Sequence, residues 1–261
     1  MELFDRIVNE TVLSGIEPVT LNFTGIYDCY YGNPKAYRTD AEVFCSATGK
    51  MGDVLDYIDD TETGNRFCIH NIKKAIYCVN KFIAAGRKTE WISVSGTTAF
   101  LTQNDLYSVL SRLFDGENFL NAEKIRLEFD KRIFYADRDK VVKGIADLKV
   151  SGIKTVIRGV DAEFPVSALT EIAADAVILS PKTTALSSDR NKPALFSSLI
   201  RYIRAMDVEV IADGVETDDR MREMNKAECY GFIPSADYKG KFDVTAAKRD
   251  LASALTDKEN V

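Results

Sequence analysis

The chain has 261 residues, 46% of them hydrophobic and 28% charged, with a formal net charge of −6. That length suits one α/β barrel and can bury a core without covalent staples, while the acidic balance excludes the basic footprint that nucleic-acid binding needs. The five cysteines are odd in number and form no C-x-x-C pair, which argues against a disulfide framework or a structural zinc site and for free or buried thiols in a reducing compartment. Met1 to Gly15 carries acidic residues and no apolar h-region, and no apolar run approaches the ~20 residues that span a bilayer. The expected location is cytoplasmic, with no membrane or nucleic-acid partner.

In chain order, Glu17 to Tyr27 reads as a strand and Ala41 to Ser46 as a second. A helix is expected over Met51 to Ile58. A stronger one runs from Phe67 to Ala85, with Ile69, Ile72, Ile76, Val79 and Phe82/Ile83 at helical spacing and Gly86 as its stop. Trp91 to Val94 is a short strand, and Asn104 or Asp105 can cap a helix that carries Leu106, Val109, Leu110 and Leu113. Ile125 to Phe129 alternates as a strand. Asp139 to Val150 is amphipathic through Val142, Ile145 and Leu148 and ends at Ser151-Gly152. The strands Lys154 to Gly159, Ala176 to Leu179, Val208 to Ala212 and Tyr230 to Ile233 then alternate with helices. Those helices run over Val166 to Ile172, Pro193 to Met206 and Thr217 to Ala227, and a last one over Val244 to Leu255. Strand and helix repeated this often mean parallel βα units, and about eight strands favour a closed barrel. No G-x-G-x-x-G follows a strand, so a dinucleotide-binding sheet has no support. In a barrel the informative positions are the C-terminal ends of the strands.

One such end reads Ile211-Ala212-Asp213-Gly214-Val215-Glu216-Thr217. It resembles the V-A-E-G-V-E-T signature of EAL-type cyclic di-GMP phosphodiesterases. Upstream, Asp175 to Ser180 sits where that family has V-D-x-L-K-I-D. Lys149 to Val156 resembles its L-R-x-L-G-V-x-I turn, Leu127 to Asp130 its L-E-I-T-E, and Ala41-Glu42-Val43-Phe44 its A-E-A-L. The resemblance runs in one order over about residues 18 to 245. It implies one domain over 1–261, an α/β, TIM-like (β/α)8 barrel of EAL type with an antiparallel first strand, flanked by helical N- and C-terminal extensions.

The resemblance also implies metal-assisted attack of water on a phosphodiester, with magnesium or manganese held by carboxylates from several strand ends. Position by position, Glu42 matches the first glutamate and Glu128 the glutamate of the next motif, and Asp213 replaces a glutamate conservatively, with Glu216 kept after it. The phosphate-binding arginine falls at Ser46, the asparagine of N-x-S at Ser95, and the second glutamate of E-x-x-E at Lys131. The paired aspartates of D-D-F-G fall at Arg158-Gly159, the lysine and aspartate of K-x-D at Ile178 and Ser180, and the late glutamine near Ile233-Pro234. Three carboxylates remain for a metal: Glu42, Glu128 and Asp213. A guanidinium about 5 Å from a dication repels it by roughly 7 kcal/mol at an effective dielectric of about 20, so Arg158 is expected to pair with Glu128 or Glu42 and fill the former metal site.

No metal and no cofactor are therefore expected. The expected function is a catalytically inactive EAL-like domain that acts as a regulatory, protein-interaction module, through another protein or a homodimer. The alternatives are a sensor that binds cyclic di-GMP or a related nucleotide without cleaving it, and a weak metal-dependent phosphodiesterase. His70 reads as an ordinary helix residue, Asp59-Asp60 with Glu62 as a solvated loop, and Arg201, Arg204, Arg220 and Arg222 as solvent-facing. Tyr27, Tyr30 and Tyr31 could be a surface contact or strand packing.

Overall fold

Strands buried on both faces need apolar residues inside and out, and the segments of this chain rich in β-branched residues supply them. The computed structural model describes residues 19–45, 49–51, 58–86, 88–115, 122–188 and 193–240. Its strands are β1 (Val19–Tyr27), β2 (Pro34–Cys45), β3 (Gly49–Met51), β4 (Ile92–Ser95), β5 (Ile125–Asp130), β6 (Lys154–Val160), β7 (Ala176–Leu179), β8 (Glu209–Thr217) and β9 (Gly231–Lys239). The hydrogen-bonded order β1-β9-β8-β7-β6-β5-β4-β2 closes on itself through a β1–β2 pairing, so eight strands form a ring. β3 pairs only with the far end of β2, as a hairpin beyond the ring. β1 runs antiparallel to both its neighbours, and the other ring neighbours are parallel. The barrel with a reversed first strand is thus the fold that the sequence implied.

Helices α1 (Glu62–Ala84), α2 (Thr98–Thr102), α3 (Leu106–Leu113), α4 (Arg138–Val150), α5 (Ala168–Ile172), α6 (Pro181–Ala185), α7 (Pro193–Arg204) and α8 (Asp218–Lys226) link the strands. α1 starts before its apolar stripe because Thr61 caps it, accepting from the Gly64 amide at 3.1 Å. α2 and α6 were not foreseen. Each is five residues long, too short for a periodic signal, and each starts on a hydroxyl cap, Thr97 or Ser180. In α4 the inward face is Val141, Gly144, Ile145 and Leu148, and Val142 is 39% exposed. The cause is Gly144: a Cβ there would sit 2.1 Å from the Leu101 carbonyl oxygen, so the helix rolls its glycine onto α2. Of the expected helix over 51–58, residues 52–57 lie outside the described residues, and Met51 closes β3. The expected helix over 244–255 and both terminal extensions lie outside them too.

Among the described residues, two apolar clusters result. The larger fills the space between ring and helices. The smaller fills the barrel itself with Ile26, Ala36, Trp91, Val156, Ala176, Ile178, Ile211 and Ile233. Below it, where the parallel strands begin, the Arg126 guanidinium lies 4.2 Å from the Trp91 ring centre and bonds Glu209 at 2.6 Å. Tyr230 stacks on Trp91 and accepts its indole N–H at 2.9 Å. This floor closes one end of the barrel, so chemistry is left to the other. Among the described residues no helix is long and apolar enough to cross a membrane.

Candidate active site at the barrel mouth

Side chains alternate along a strand, so the interior cluster fixes which positions face inward. On β2 they are Ala36, Arg38 and Asp40; on β4, Ser93 and Ser95; on β5, Glu128 and Asp130; on β6, Arg158; on β7, Ile178; on β8, Asp213. The ladder sets their heights: Arg38 is level with Ser93, Ser95 with Glu128, Asp130 with Arg158, and Arg158 with Ile178.

Glu128 is the centre of the mouth, and its side chain is 0% exposed. Arg38 Nε donates to its Oε1 at 2.8 Å and Ser93 Oγ to its Oε2 at 3.0 Å. Arg38 Nη2 also lies 3.1 Å from Asp40 Oδ1. Burial pulls the Arg38 pKa down, but the carboxylates of Glu128, Asp40 and Asp213 more than offset this, so the guanidinium is held firmly charged. Arg158, expected on Glu128 or Glu42, has Nε 3.6 Å from Asp130 and 4.0 Å from Glu128. Those are ion-pair distances; the buried Nε makes no hydrogen bond. The cation that seals Glu128 is therefore Arg38, a residue the sequence reading passed over.

Glu42, matched above to the family's first glutamate, is farther along the same strand. It lies four residues beyond Arg38 on β2, or about 13 Å along the strand, at a level where β2 pairs with β1 opposite Thr20. Its side chain and the whole of Ser46 lie outside the described residues. Ser95 likewise does not reach Glu128; Ser93 does, and the buried Ser95 Oγ is left without a hydrogen-bond partner. Arg38 was hidden because β2 begins at Pro34, and its Pro-Lys-Ala-Tyr-Arg start looks like loop. Period-two alternation counted back from Asp40 is the signal that would have found Arg38.

The other positions are satisfied locally. Lys131 forms a short ion pair with Asp161 on the next loop, which raises its own pKa and lowers that of Asp161, chiefly through the hydrogen bond they share. Ile178 is buried in the barrel's apolar filling. Ser180 Oγ accepts from the Thr183 amide and caps α6. Gly159 and Gly214 both have positive φ, +74° and +78°. Gly214 also packs on Pro181, where a Cβ would come within 2.7 Å. Glu216 pairs with Arg220 at 3.3 Å, and Thr217 caps α8. Ile233 is in the interior cluster beside the level of Asp213. Asp213 has its pKa raised, mainly by burial and further by Glu128 and Asp40, against the pull of Arg38 and the Gly214 amide.

Of the lesser candidates, Asp59 accepts from the Thr98 amide and hydroxyl, so it ties α2 to the loop before α1 rather than only facing water. Tyr27 is core, while Tyr30 and Tyr31 are 67% and 72% exposed at the floor end. Arg201, Arg204 and Arg222 face solvent, and Arg220 is half-buried. Cys29, Cys68 and Cys229 are buried free thiols, with burial pushing Cys68 and Cys229 up to about 12.

A divalent ion needs several free oxygens converging on one point. Both oxygens of Glu128 are engaged, two guanidinium groups stand beside it, and among the described residues no group of three or more acidic, histidine or cysteine side chains could hold a metal. These residues do not fit the ion that the resemblance implies.

Comparison with known proteins agrees with the fold. The sequence model of the EAL domain matches residues 18–232. Among solved structures, the EAL enzyme Bd1971 bound to cAMP and cyclic di-GMP superposes with a TM-score of 0.75 at 15% identity, over 96% of this chain and 68% of that one. An EAL domain protein from Listeria monocytogenes EGD-e gives 0.73 at 14%, over 96% of each chain. Klebsiella pneumoniae BlrP1, in complex with manganese and cyclic di-GMP, gives 0.68 at 16%, over 84% of this chain and 55% of that one. The curated proteins give no match.

Proposed function

The chain belongs to the EAL domain family, and from that premise we propose that it is a non-hydrolysing member that regulates by protein contact in bacterial cyclic di-GMP signalling. One observation carries the reading: the buried Glu128 carboxylate is closed off by Arg38 and Ser93, so its oxygens are not offered to an ion or to water. Two others support it. Ile178 is apolar filling where the family's K-x-D lysine would act, and Lys131, in place of the second glutamate of E-x-x-E, is spent on Asp161. For a contact surface, α7 presents Leu195 and Tyr202, seven residues apart and so on one helix face, 40% and 52% exposed. That face suits a partner protein or a second copy of the chain. The protein would work in the cytoplasm without metal or cofactor.

A second reading, a sensor that binds cyclic di-GMP and leaves it intact, is favoured by one feature. The buried Arg158 Nε has no hydrogen-bond partner and could donate to a phosphate oxygen. Incubation with cyclic di-GMP and magnesium or manganese is expected to give no linear product. Metal-dependent release of linear product, lost in Glu128→Ala, would overturn the proposal. Calorimetry decides between the readings, since micromolar affinity for the nucleotide would move the function from protein contact to sensing.

A further inference from the structure

The mismatch between this mouth and a divalent ion has a specific author in the sequence. Three carboxylates, Asp40 on β2, Glu128 on β5 and Asp213 on β8, come from different parts of the ring, and Arg38 is the group in whose field all three lie. Its contacts with two of them are direct, at 3.1 Å and 2.8 Å. Beside them the Ser95 hydroxyl, 3% exposed and on the same inward face as Ser93, has no hydrogen-bond partner. Two acids in contact with one guanidinium and a third within its field concentrate negative charge at the mouth, and such charge has to be met by a cation. Here the chain supplies the cation itself.

We propose that Arg38 is a built-in counter-cation, taking at the barrel mouth the electrostatic place of a divalent ion. A guanidinium cannot be deprotonated or dissociate, so it neutralises the acids permanently and supplies no activated water. The barrel then needs no ion to hold its mouth together. Arg38 is a positioning residue for the fold of the mouth, not a catalytic one. The inference rests on the non-hydrolysing reading, because an ion at work in the same place would leave Arg38 no room.

The test is Arg38→Gln, similar in length and uncharged, with Mn2+ alone as probe. Free Mn2+ is counted by electron paramagnetic resonance, and the thermal midpoint is followed by circular dichroism. Removing a positive charge beside the site is expected to tighten Mn2+ binding at least about tenfold over the natural sequence. The same ion should raise the variant's midpoint by about 5 °C at roughly a hundred times Kd and leave the natural protein unmoved. Arg38→Lys keeps a cation and should stay insensitive to Mn2+. Adding Glu128→Gln to Arg38→Gln should abolish the gain. If Arg38→Gln refolds poorly, Mn2+ in the refolding buffer should raise its yield. Equal Mn2+ binding by natural and variant protein, or no gain and no rescue, overturns the proposal. Failure of the gain with no turnover in the natural protein sinks this inference alone, whereas turnover of cyclic di-GMP sinks the non-hydrolysing reading.

Discussion

Neutralising Glu128 separates a sealed carboxylate from a waiting ligand by the sign of its effect on stability. Carboxylates assembled for an absent ion repel one another, so replacing one leaves an ion-free protein as stable or more stable. In this barrel Glu128→Gln removes the partner of a guanidinium instead. Arg38 Nε lies 2.8 Å from the carboxylate, which puts the charges roughly 4 Å apart and their attraction at about 4 kcal/mol for an effective dielectric of about 20. Relief of the repulsion between Glu128 and Asp213 returns part of that. Breaking a buried pair typically costs 3–5 kcal/mol, so the net expectation is a loss of about 3 kcal/mol. At about 2 °C per kcal/mol for a chain of this size, the thermal midpoint should fall by about 6 °C. The assay is a melt of both proteins in chelator, followed by circular dichroism. A midpoint that stays put or rises would refute the argument, because it would mean that Glu128 is held against repulsion rather than by Arg38.

Two glycines with the same backbone conformation should differ in tolerance. Gly159→Ala meets nothing within 4 Å and should cost only the ~1–2 kcal/mol of a left-handed residue, whereas Gly214→Ala also drives a Cβ to 2.7 Å from Pro181 and should cost more in denaturant titration. Asp213 has its pKa raised above the ordinary value of 3.8, so across the interval between the two values the native state holds more protons than the unfolded one. Stability should therefore fall as pH rises through that interval, and Asp213→Asn should flatten this limb in melts from pH ~3.5 to ~7. Asp161 shows the opposite sign: held below 3.8 by Lys131, it contributes stability above that value, lost as pH falls through its lowered native one. Lys131→Met should remove that contribution, but by no more than about 1 kcal/mol at neutral pH, because the pair is a quarter to a third exposed.

The barrel was legible because its evidence is repeated. Ile125–Asp130 alternates apolar and charged residues, Ala176–Leu179 is an unbroken apolar run, and the Asp213-Gly214 turn marks a strand end. The site was legible where a motif sat on such a strand: Glu128, Arg158, Ile178 and Asp213 all lie at inward positions near the mouth. It was not legible at Arg38 on β2, because an inward face that turns from Ala36 to Arg38 and Asp40 is polar and hides its own periodicity. The Ala41-Glu42-Val43-Phe44 match to A-E-A-L centres on a glutamate four residues beyond Arg38 on the same strand. Local sequence also could not reveal that Ser93 rather than Ser95 meets Glu128, because that depends on the stagger between neighbouring strands. Gly144, whose close contact with Leu101 turns α4, lies in the same class: its meaning comes from a neighbour distant in sequence.

The frame of the barrel is built away from its mouth. The floor is locked by Arg126, Glu209, Trp91 and Tyr230, and the ring by main-chain ladders that ignore side-chain identity. The charges at the top are held in complementary pairs, Arg38 with Glu128, Lys131 with Asp161 and Arg132 with Asp130, while Ile178 joins the apolar filling. Each pair makes an acid in place of its cation expensive. Glutamate at position 131 would face Asp161 with no cation between them, and aspartate at 158 would withdraw the guanidinium that stands 3.6 Å from Asp130. Returning one acid at a time therefore adds repulsion before it creates a site for an ion. Hydrolysis, on this reading, cannot be recovered by a single substitution; Arg38 has to leave the carboxylate cluster in the same step that restores its acids.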